Sequence, residues 1–361
     1  MSLNKFRTHQ RNADIAITEQ LATYNDIIVK MFCGTGKSLL MRKAKATSNK
    51  HTIIYVFPSL GLIHQFATEY LHSNPKPLLK ISSEEGSTTN AEEIVSFLTK
   101  NKKIKKIICV TYQSLELLLD VRDSLHTVFN IAFLDEAHHA SAPTYKKLIF
   151  ERKIATQQVY LTATPGEEMY DWENPDIHGI CGPLAFNYTY MDALNDDIVN
   201  PFEVRIDFYS SNTNISIYET IARAILTTGN NRVLTFHADV ETGRDTSVNV
   251  FADSQLFTEC FHRIARDEFP DSLGDYADIQ MVALSAKHTK TERCTILDAL
   301  DNTPDKKGVY IISSCETIGE GIDTKKANMC VFVDPKTSYK KIIQNIGRIV
   351  RKILGMETPH S

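Results

Sequence analysis

The sequence has no surplus of positive charge: 40 Lys and Arg stand against 44 Asp and Glu, a formal charge of -4. The global electrostatic footprint of a polyanion binder is missing, so any nucleic-acid partner has to be met at local sites. CxxC pairs are missing too; the seven cysteines (Cys33, Cys109, Cys181, Cys260, Cys294, Cys315 and Cys330) stand singly. That spacing argues against a zinc or redox centre and for a reduced, intracellular protein. No apolar run reaches the ~18 residues that a membrane span needs, and the N-terminal MSLNKFRTHQRNAD lacks the apolar centre of a secretion signal. A soluble chain without membrane association is expected. Low-complexity tracts and short-period repeats are likewise absent, and 42% hydrophobic with 23% charged residues is ordinary for a globular protein.

What the sequence does contain is alternation. At 361 residues it suggests two domains, each able to bury its own core. Short apolar runs rich in β-branched residues alternate with helical patterns, which predicts an α/β fold of parallel sheets covered by helices. In the first half, strands are expected at Asp26–Met31, Thr52–Phe57, Lys106–Val110, Phe129–Leu134 and Gln157–Leu161. Helices are expected at Lys37–Thr47, Leu60–Leu71, Ala91–Thr99, Tyr112–Leu119 and Pro143–Phe150. After Pro165, GEEMYDWENPDIHGICGP carries Gly, Pro, Asn and Asp without periodicity and reads as a connection. Domains are therefore expected at 1–170 and 201–361, with residues 171–200 between them. The second half predicts strands at Phe202–Phe208, Arg232–His237, Gln280–Leu284, Gly308–Ile312 and Met329–Val333. Its helices are expected at Ile215–Thr227, Phe257–Asp267, Thr289–Leu300 and Ser338–Ile349.

Strand, glycine-rich turn and helix follow one another in DIIVKMFCGTGKSLLMRKA, the context a phosphate-binding loop needs. Cys33, Gly34, Thr35 and Gly36 would offer backbone N–H groups, Lys37 would meet the β and γ phosphates of ATP, and the Ser38 hydroxyl would hold Mg²⁺. Met31 stands where the strict pattern begins with Gly, so the turn has to open without that freedom. A flexible glycine turn without a ligand is the plain alternative. Beyond the apolar run VFNIAFL, Asp135 and Glu136 stand at the C-terminal end of a strand, where open α/β sheets bind ligands. Asp135 would bind Mg²⁺ through the metal's water shell, and Glu136 would orient and deprotonate an attacking water. Taken alone, DEAH could equally be the start of a solvated helix.

GTGKS, DEAH and LTATP, in this order, resemble motifs I, II and III of superfamily 2 helicases, in particular DEAH-box members, and YKKIIQNIGRIVRK resembles their motif VI. The resemblance implies two tandem RecA-like domains, ATP hydrolysis with Mg²⁺ and a nucleic-acid partner. Gln344, Arg348 and Arg351 are spaced four and three apart, which on a helix places them on one face. By family likeness they would meet the γ-phosphate held by the first domain. SSCETIGEGIDTKKA resembles motif V, implying a ribose contact for Asp323 and close backbone approach at Gly321. FRTHQ resembles the short RxxQ element that reads adenine, implying that contact for Gln10 and Arg7. VFPSLGLIHQF, VTYQSL and RVLTFHA resemble motifs Ia, Ib and IV. They imply contacts from Pro58, Ser59, Gln65, Thr111, Gln113, Thr235 and His237 to a sugar-phosphate backbone, without base readout. Ser and Thr after strands also commonly just cap helices. His138, Thr162 and Thr164 are implied as the link between hydrolysis and strand movement.

These motifs resemble the restriction-motor and repair branch, and the compact helicases of large DNA viruses, more than RNA-remodelling DEAD-box proteins. Duplex DNA is therefore the expected substrate and a monomer the expected state. The alternatives are an RNA helicase and an ATP-gated nucleic-acid clamp that switches without processive movement. Relatives normally continue with a further strand after motif VI, so a second domain cut short at its end is expected.

Overall fold

A computed structural model describes residues 6–47, 51–71, 77–83, 86–100, 104–166, 169, 179–206, 214–237, 253–272, 274–285, 288–305, 307–314, 324, 326–334 and 338–352. The chain divides into two compact units, residues 1–196 and 197–361.

The first unit carries seven strands: β1 (Asp26–Met31), β2 (Thr52–Phe57), β3 (Leu78–Ile81), β4 (Lys106–Thr111), β5 (Ile131–Leu134), β6 (Gln157–Thr162) and β7 (Leu184–Tyr188). They form one parallel sheet in the order β3-β4-β2-β5-β6-β1-β7. Its central strands are apolar almost without interruption because both faces are covered, the usual consequence of parallel crossovers. Ile54, Val56, Ile108, Val110, Leu134 and Tyr160 are buried together in its core; each large apolar side chain so buried contributes roughly 2 kcal/mol. The helices are α1 (Thr8–Gln20), α2 (Lys37–Lys43), α3 (Leu60–Phe66), α4 (Ala91–Thr99), α5 (Leu115–Ser124), α6 (Pro143–Lys146) and α7 (Tyr190–Asn195).

Several elements differ from the sequence expectations. α1 has no apolar stripe because half of what it buries is polar: His9, Gln10, Ala13 and Ile17. The helix expected at Lys37–Thr47 stops at Lys43, where Ala44 turns to ψ 126, and a 3₁₀ turn at Lys45–Thr47 follows. The helices expected at Leu60–Leu71 and Pro143–Phe150 widen into π turns at Ala67–Leu71 and Lys147–Glu151. β7 and α7 fall inside the stretch expected as a connection, 171–200. β7 nevertheless pairs with β1, with Met31 opposite Tyr188, and both elements belong to the first unit.

The second unit holds α8 (Asn214–Thr228), β8 (Arg232–Phe236), α9 (Ser254–Glu268), β9 (Asp278–Leu284), α10 (Lys290–Asn302), β10 (Gly308–Ser314), β11 (Met329–Phe332) and α11 (Tyr339–Ile349). Its parallel sheet runs β11-β8-β10-β9. β10 is buried along its whole length, and Phe257, Phe261, Ile221 and Ile311 fill the core on one face. Caps are built locally: Asp253 accepts from Leu256 N at the start of α9, and Thr289 with Glu292 forms a reciprocal box on α10. The strand expected at Phe202–Phe208 is not formed at 201–206, where the chain runs without a ladder partner among the described residues. Its alternating Val204 and Ile206 are 74% and 73% exposed, so the period-two pattern has no sheet to bury it. Both units are parallel sheets covered by helices, as the resemblance implies.

Candidate active site

The loop after β1 is turned by two left-handed glycines, Gly34 at φ 76 and Gly36 at φ 89. Glycine suits Gly36 because the backbone is left-handed and a Cβ there would lie 2.2 Å from Gln10 Nε2, which would have to move. Thr35 donates its hydroxyl to the Phe32 carbonyl at 2.7 Å, closing the loop on itself. Lys37 opens α2 and donates to the Met31 carbonyl at 3.4 Å; Ser38 follows it, half-buried. Cys33 is buried in the loop's first turn. Met31 needs no glycine freedom, because it is still the last residue of β1 and pairs with β7.

Two strands along the sheet, β5 ends at Leu134 and Asp135 N continues the ladder to the Val56 carbonyl at 2.9 Å. Tyr112 donates its hydroxyl to the Asp135 carbonyl at 3.0 Å, which fixes the peptide before the bend. Glu136 then takes a left-handed backbone, φ 44 and ψ 51, and its N–H donates to Asp135 Oδ1 at 3.0 Å. Burial, and next the Glu136 charge, push the Asp135 carboxyl up to about 6, against the pull of Lys37 and the Glu136 N–H. Glu136 Oε1 lies 3.9 Å from Lys37 Nζ, and Oε2 lies 3.6 Å from His138 Nδ1. That second oxygen is buried and has no hydrogen-bond partner among the described residues.

His138 lies in a 3₁₀ turn, Ala137–Ser141, with Nδ1 3.3 Å from Thr162 Oγ1. The same hydroxyl oxygen accepts from Thr164 N at 3.1 Å. The loops after β5 and β6 are thereby tied through the three residues expected to couple them. The buried Thr164 hydroxyl has no hydrogen-bond partner among the described residues.

Gln10, expected at adenine, is buried behind the glycine loop. Its Oε1 accepts from Arg7 N at 2.9 Å, while Nε2 donates to the Thr35 and Gly36 carbonyls at 3.3 and 3.2 Å. One end of the amide therefore braces the loop while the other caps the first turn of α1. His9, absent from the expected set, joins them with Nε2 2.9 Å from the Thr35 carbonyl. Its neighbour's RxxQ match draws attention to the segment, but no sequence pattern singles out His9.

The residues expected to touch a nucleic-acid backbone fall into two groups. Pro58 and Ser59 lead into α3, with Ser59 at its N-cap position; Gln65 donates to Glu69 Oε1 on that helix's outer side, and Gln113 is exposed after β4. Thr111, Thr235 and His237 are instead 3%, 0% and 4% exposed. Thr111 Oγ1 accepts from Ser114 N at 3.2 Å, capping the turn before α5. Thr235 Oγ1 and Ser313 Oγ each lie 2.9 Å from His237 Nε2, so these side chains stitch β8 to β10. They are held inside the sheet and do not present hydroxyls to a strand.

On α11, Gln344 and Arg348 share a face as expected, and Arg348 is 7% exposed. Arg351 does not share it, because the helix ends at Ile349. Asn200 draws the chain out of helical form: its N–H donates to the Val350 carbonyl at 2.7 Å and its amide to the Arg351 carbonyl at 3.3 Å. Arg351 therefore sits in a bridge opposite Val199. Gly321 and Asp323 lie outside the described residues.

Residues 3–167 match the type III restriction enzyme, res subunit, family, and residues 219–352 match the helicase conserved C-terminal domain. A probable helicase of African swine fever virus (isolate Tick/Malawi/Lil 20-1/1983) is 22% identical over 378 residues, covering 98% of this chain and 40% of the relative. Putative helicase 22 of Sulfolobus islandicus filamentous virus is 21% identical over 376 residues, covering 96% and 62%. The chain thus spans 40% of the length of the first curated relatives it matches. Among solved structures, an ATP-dependent Type ISP restriction-modification enzyme bound to DNA superposes with a TM-score of 0.77 at 18% identity, over 97% of this chain and 27% of that one. S. cerevisiae Dbp5 bound to RNA and ADP BeF3 gives 0.54 at 18% identity, over 96% and 81%. These likenesses establish both units as the RecA-like folds of helicases. No helix of the described residues is long and apolar enough to cross a membrane.

Proposed function

Because the chain belongs to helicase superfamily 2, we propose that it couples ATP hydrolysis to movement along, or unwinding of, duplex DNA. The observation that carries this reading is the convergence of Lys37 and Glu136, 3.9 Å apart at the C-terminal ends of β1 and β5, with a buried Glu136 oxygen that lacks a hydrogen-bond partner among the described residues. Such an oxygen suits a group that takes a proton from a water not built into the protein. The residues also fit a divalent cation: Ser38 and the buried Asp135 would hold it, and Mg²⁺ supplies charge neutralisation for the transferred phosphoryl group when bound.

In this reading the loop Gly34–Ser38 holds the phosphates through backbone N–H groups, and Lys37 balances their charge. Glu136 orients and deprotonates the attacking water. Arg348 and Arg351 bring positive charge to the γ-phosphate, a contribution of roughly 10³–10⁵ in rate in related phosphoryl transfers. The Thr162 hydroxyl, shared by His138 and Thr164, passes a change at the carboxylates to the loop after β6. The match to a restriction-enzyme family and the likeness to a DNA-bound restriction-modification enzyme support duplex DNA as the track. Gln65 and Gln113 are the side chains left to meet its phosphates, since the Ser59 hydroxyl is buried.

Steady-state ATPase assays at low salt test the reading. Duplex DNA should stimulate turnover, and Glu136→Gln should lower it by about 10²–10⁴ while leaving ATP bound. Stimulation by RNA alone, or unchanged turnover in Glu136→Gln, overturns it; triplex displacement set beside strand displacement separates a translocase from a clamp.

A further inference from the structure

Behind the phosphate loop lies a set that the proposed chemistry does not use: the buried His9 and Tyr188, with the exposed Asp196 at its outer end. His9 is 3% exposed, and its ring stacks on that of Tyr188 with centroids 4.5 Å apart and planes 11° from parallel. The Thr35 carbonyl, 2.9 Å from His9 Nε2, can only accept, so Nε2 carries the proton. Burial, the largest influence, lowers the His9 pKa and keeps the ring in that neutral form. Tyr188 in turn donates its hydroxyl to Asp196 Oδ2 at 2.8 Å. Burial and that carboxylate both push the phenol up, so it stays a donor. The Tyr188 carbonyl also accepts from Phe32 N at 3.0 Å. The loop is therefore held at Phe32 by the Tyr188 main chain and at Thr35 by the His9 ring, which stacks on a phenol ring oriented by the Asp196 carboxylate.

Asp196 is also the last residue of the first unit. The next residue, Asp197, has a left-handed backbone at φ 58, and its carboxylate pairs with Lys352 beside Arg351. Consecutive residues are thus anchored, each within its own unit, one to the phosphate loop and the other to the segment carrying Arg351.

We propose that His9, Tyr188 and Asp196 are positioning residues for the phosphate loop, with its brace ending at the residue where the chain passes into the second unit. A loop hinged on Gly34 and Gly36 has many shapes open to it. Ordering such a loop only when nucleotide arrives subtracts from affinity, and bracing it beforehand removes that cost. Packing alone would be served by a phenyl ring at position 9; the bond to Thr35 would not. The nucleotide arm of the proposal rests on the ATP reading above, whereas the loop-order arm does not.

The test uses the full chain carrying His9→Phe, Tyr188→Phe, Asp196→Ala or Asp196→Asn. Amide hydrogen exchange at residues 33–37 is read without nucleotide, with KM and kcat for ATP and the melting temperature read alongside. His9→Phe should speed loop exchange and raise KM roughly five- to tenfold, the loss of about one hydrogen bond, with kcat held within about twofold. Tyr188→Phe and Asp196→Ala should shift both readouts in the same direction, about threefold each, and no further when combined. Asp196→Asn keeps an acceptor oxygen and should restore wild-type values. Unchanged exchange in a folded His9→Phe chain overturns the proposal, as does a fall in melting temperature and kcat with KM unmoved. A wild-type chain that hydrolyses no ATP would overturn the proposed function instead, leaving loop exchange to decide this assignment.

Discussion

Gly36→Ala tests the loop geometry at its tightest point. An alanine at φ 89 costs about 1–2 kcal/mol for the left-handed backbone alone. Its Cβ would also stand 2.2 Å from Gln10 Nε2, so the amide must leave, breaking its bonds to the Thr35 and Gly36 carbonyls. Each of those bonds contributes about 0.5–1.5 kcal/mol net, which brings the sum to about 3 kcal/mol. Charged against nucleotide binding, that is roughly a hundredfold loss of ATP affinity. Titration with a fluorescent ATP analogue measures it, and circular dichroism confirms that the variant is folded. Gln10→Ala alone should weaken binding roughly ten- to thirtyfold, because only the two hydrogen bonds go. The double variant should bind about as poorly as Gly36→Ala, since the amide is already displaced there. A folded Gly36→Ala chain that binds ATP within threefold of wild type, or a double variant with additive losses, refutes the reasoning.

Four further outcomes follow from the same geometry. Glu136→Gln should lower ATP turnover by about 10²–10⁴, the range of a general base, with ATP affinity retained; single-turnover kinetics read the two apart. Burial lowers the His9 pKa below 6.5, Arg7 acting the same way and the Thr35 carbonyl and Asp196 opposing. The unfolded chain then takes a proton that the folded chain resists, so stability present above about pH 6.5 is lost as the pH falls below it. Calorimetry should show His9→Phe flattening that acid decline; parallel profiles count against it. Thr162→Ala removes the oxygen shared by His138 and Thr164 and should cut DNA stimulation of the ATPase roughly tenfold, with Thr162→Ser restoring it. Asn200→Ala frees the Val350 and Arg351 carbonyls and should cost about 1–3 kcal/mol in urea unfolding.

The sequence made the hydrolytic half of the site legible because its chemistry is local. A glycine turn between β1 and α2, and two carboxylates at the end of β5, are each readable within one short stretch. Met31 departs from the strict loop pattern, yet it is the last residue of β1, where the strand expected at Asp26–Met31 already ended. What escaped depends on distant partners. α1 buries His9 and Gln10 against a loop some 26 residues away, so its inner face carries no apolar period. β7 follows a stretch with the composition of a connection, and of its five residues only Tyr188 is buried. The spacing of Gln344, Arg348 and Arg351 implies a single helical face, yet Asn200, 151 residues from Arg351, ends the helix first. Thr235 and His237 resemble surface contacts until Ser313, arriving 76 residues after His237, buries them.

The sheet order gives the site a property of its own. β6 lies between β1 and β5, so the ends of those two strands stand about two strand spacings apart, roughly 10 Å. Only the reach of Lys37 and Glu136 narrows that slot to 3.9 Å, above the end of β6. The lysine thus has an anionic neighbour, and in the proposed function that neighbour is the base. In that reading a phosphate bound at Lys37 would compete with Glu136 for the lysine's charge. Arrival of the substrate and release of the base would then be linked through the one lysine.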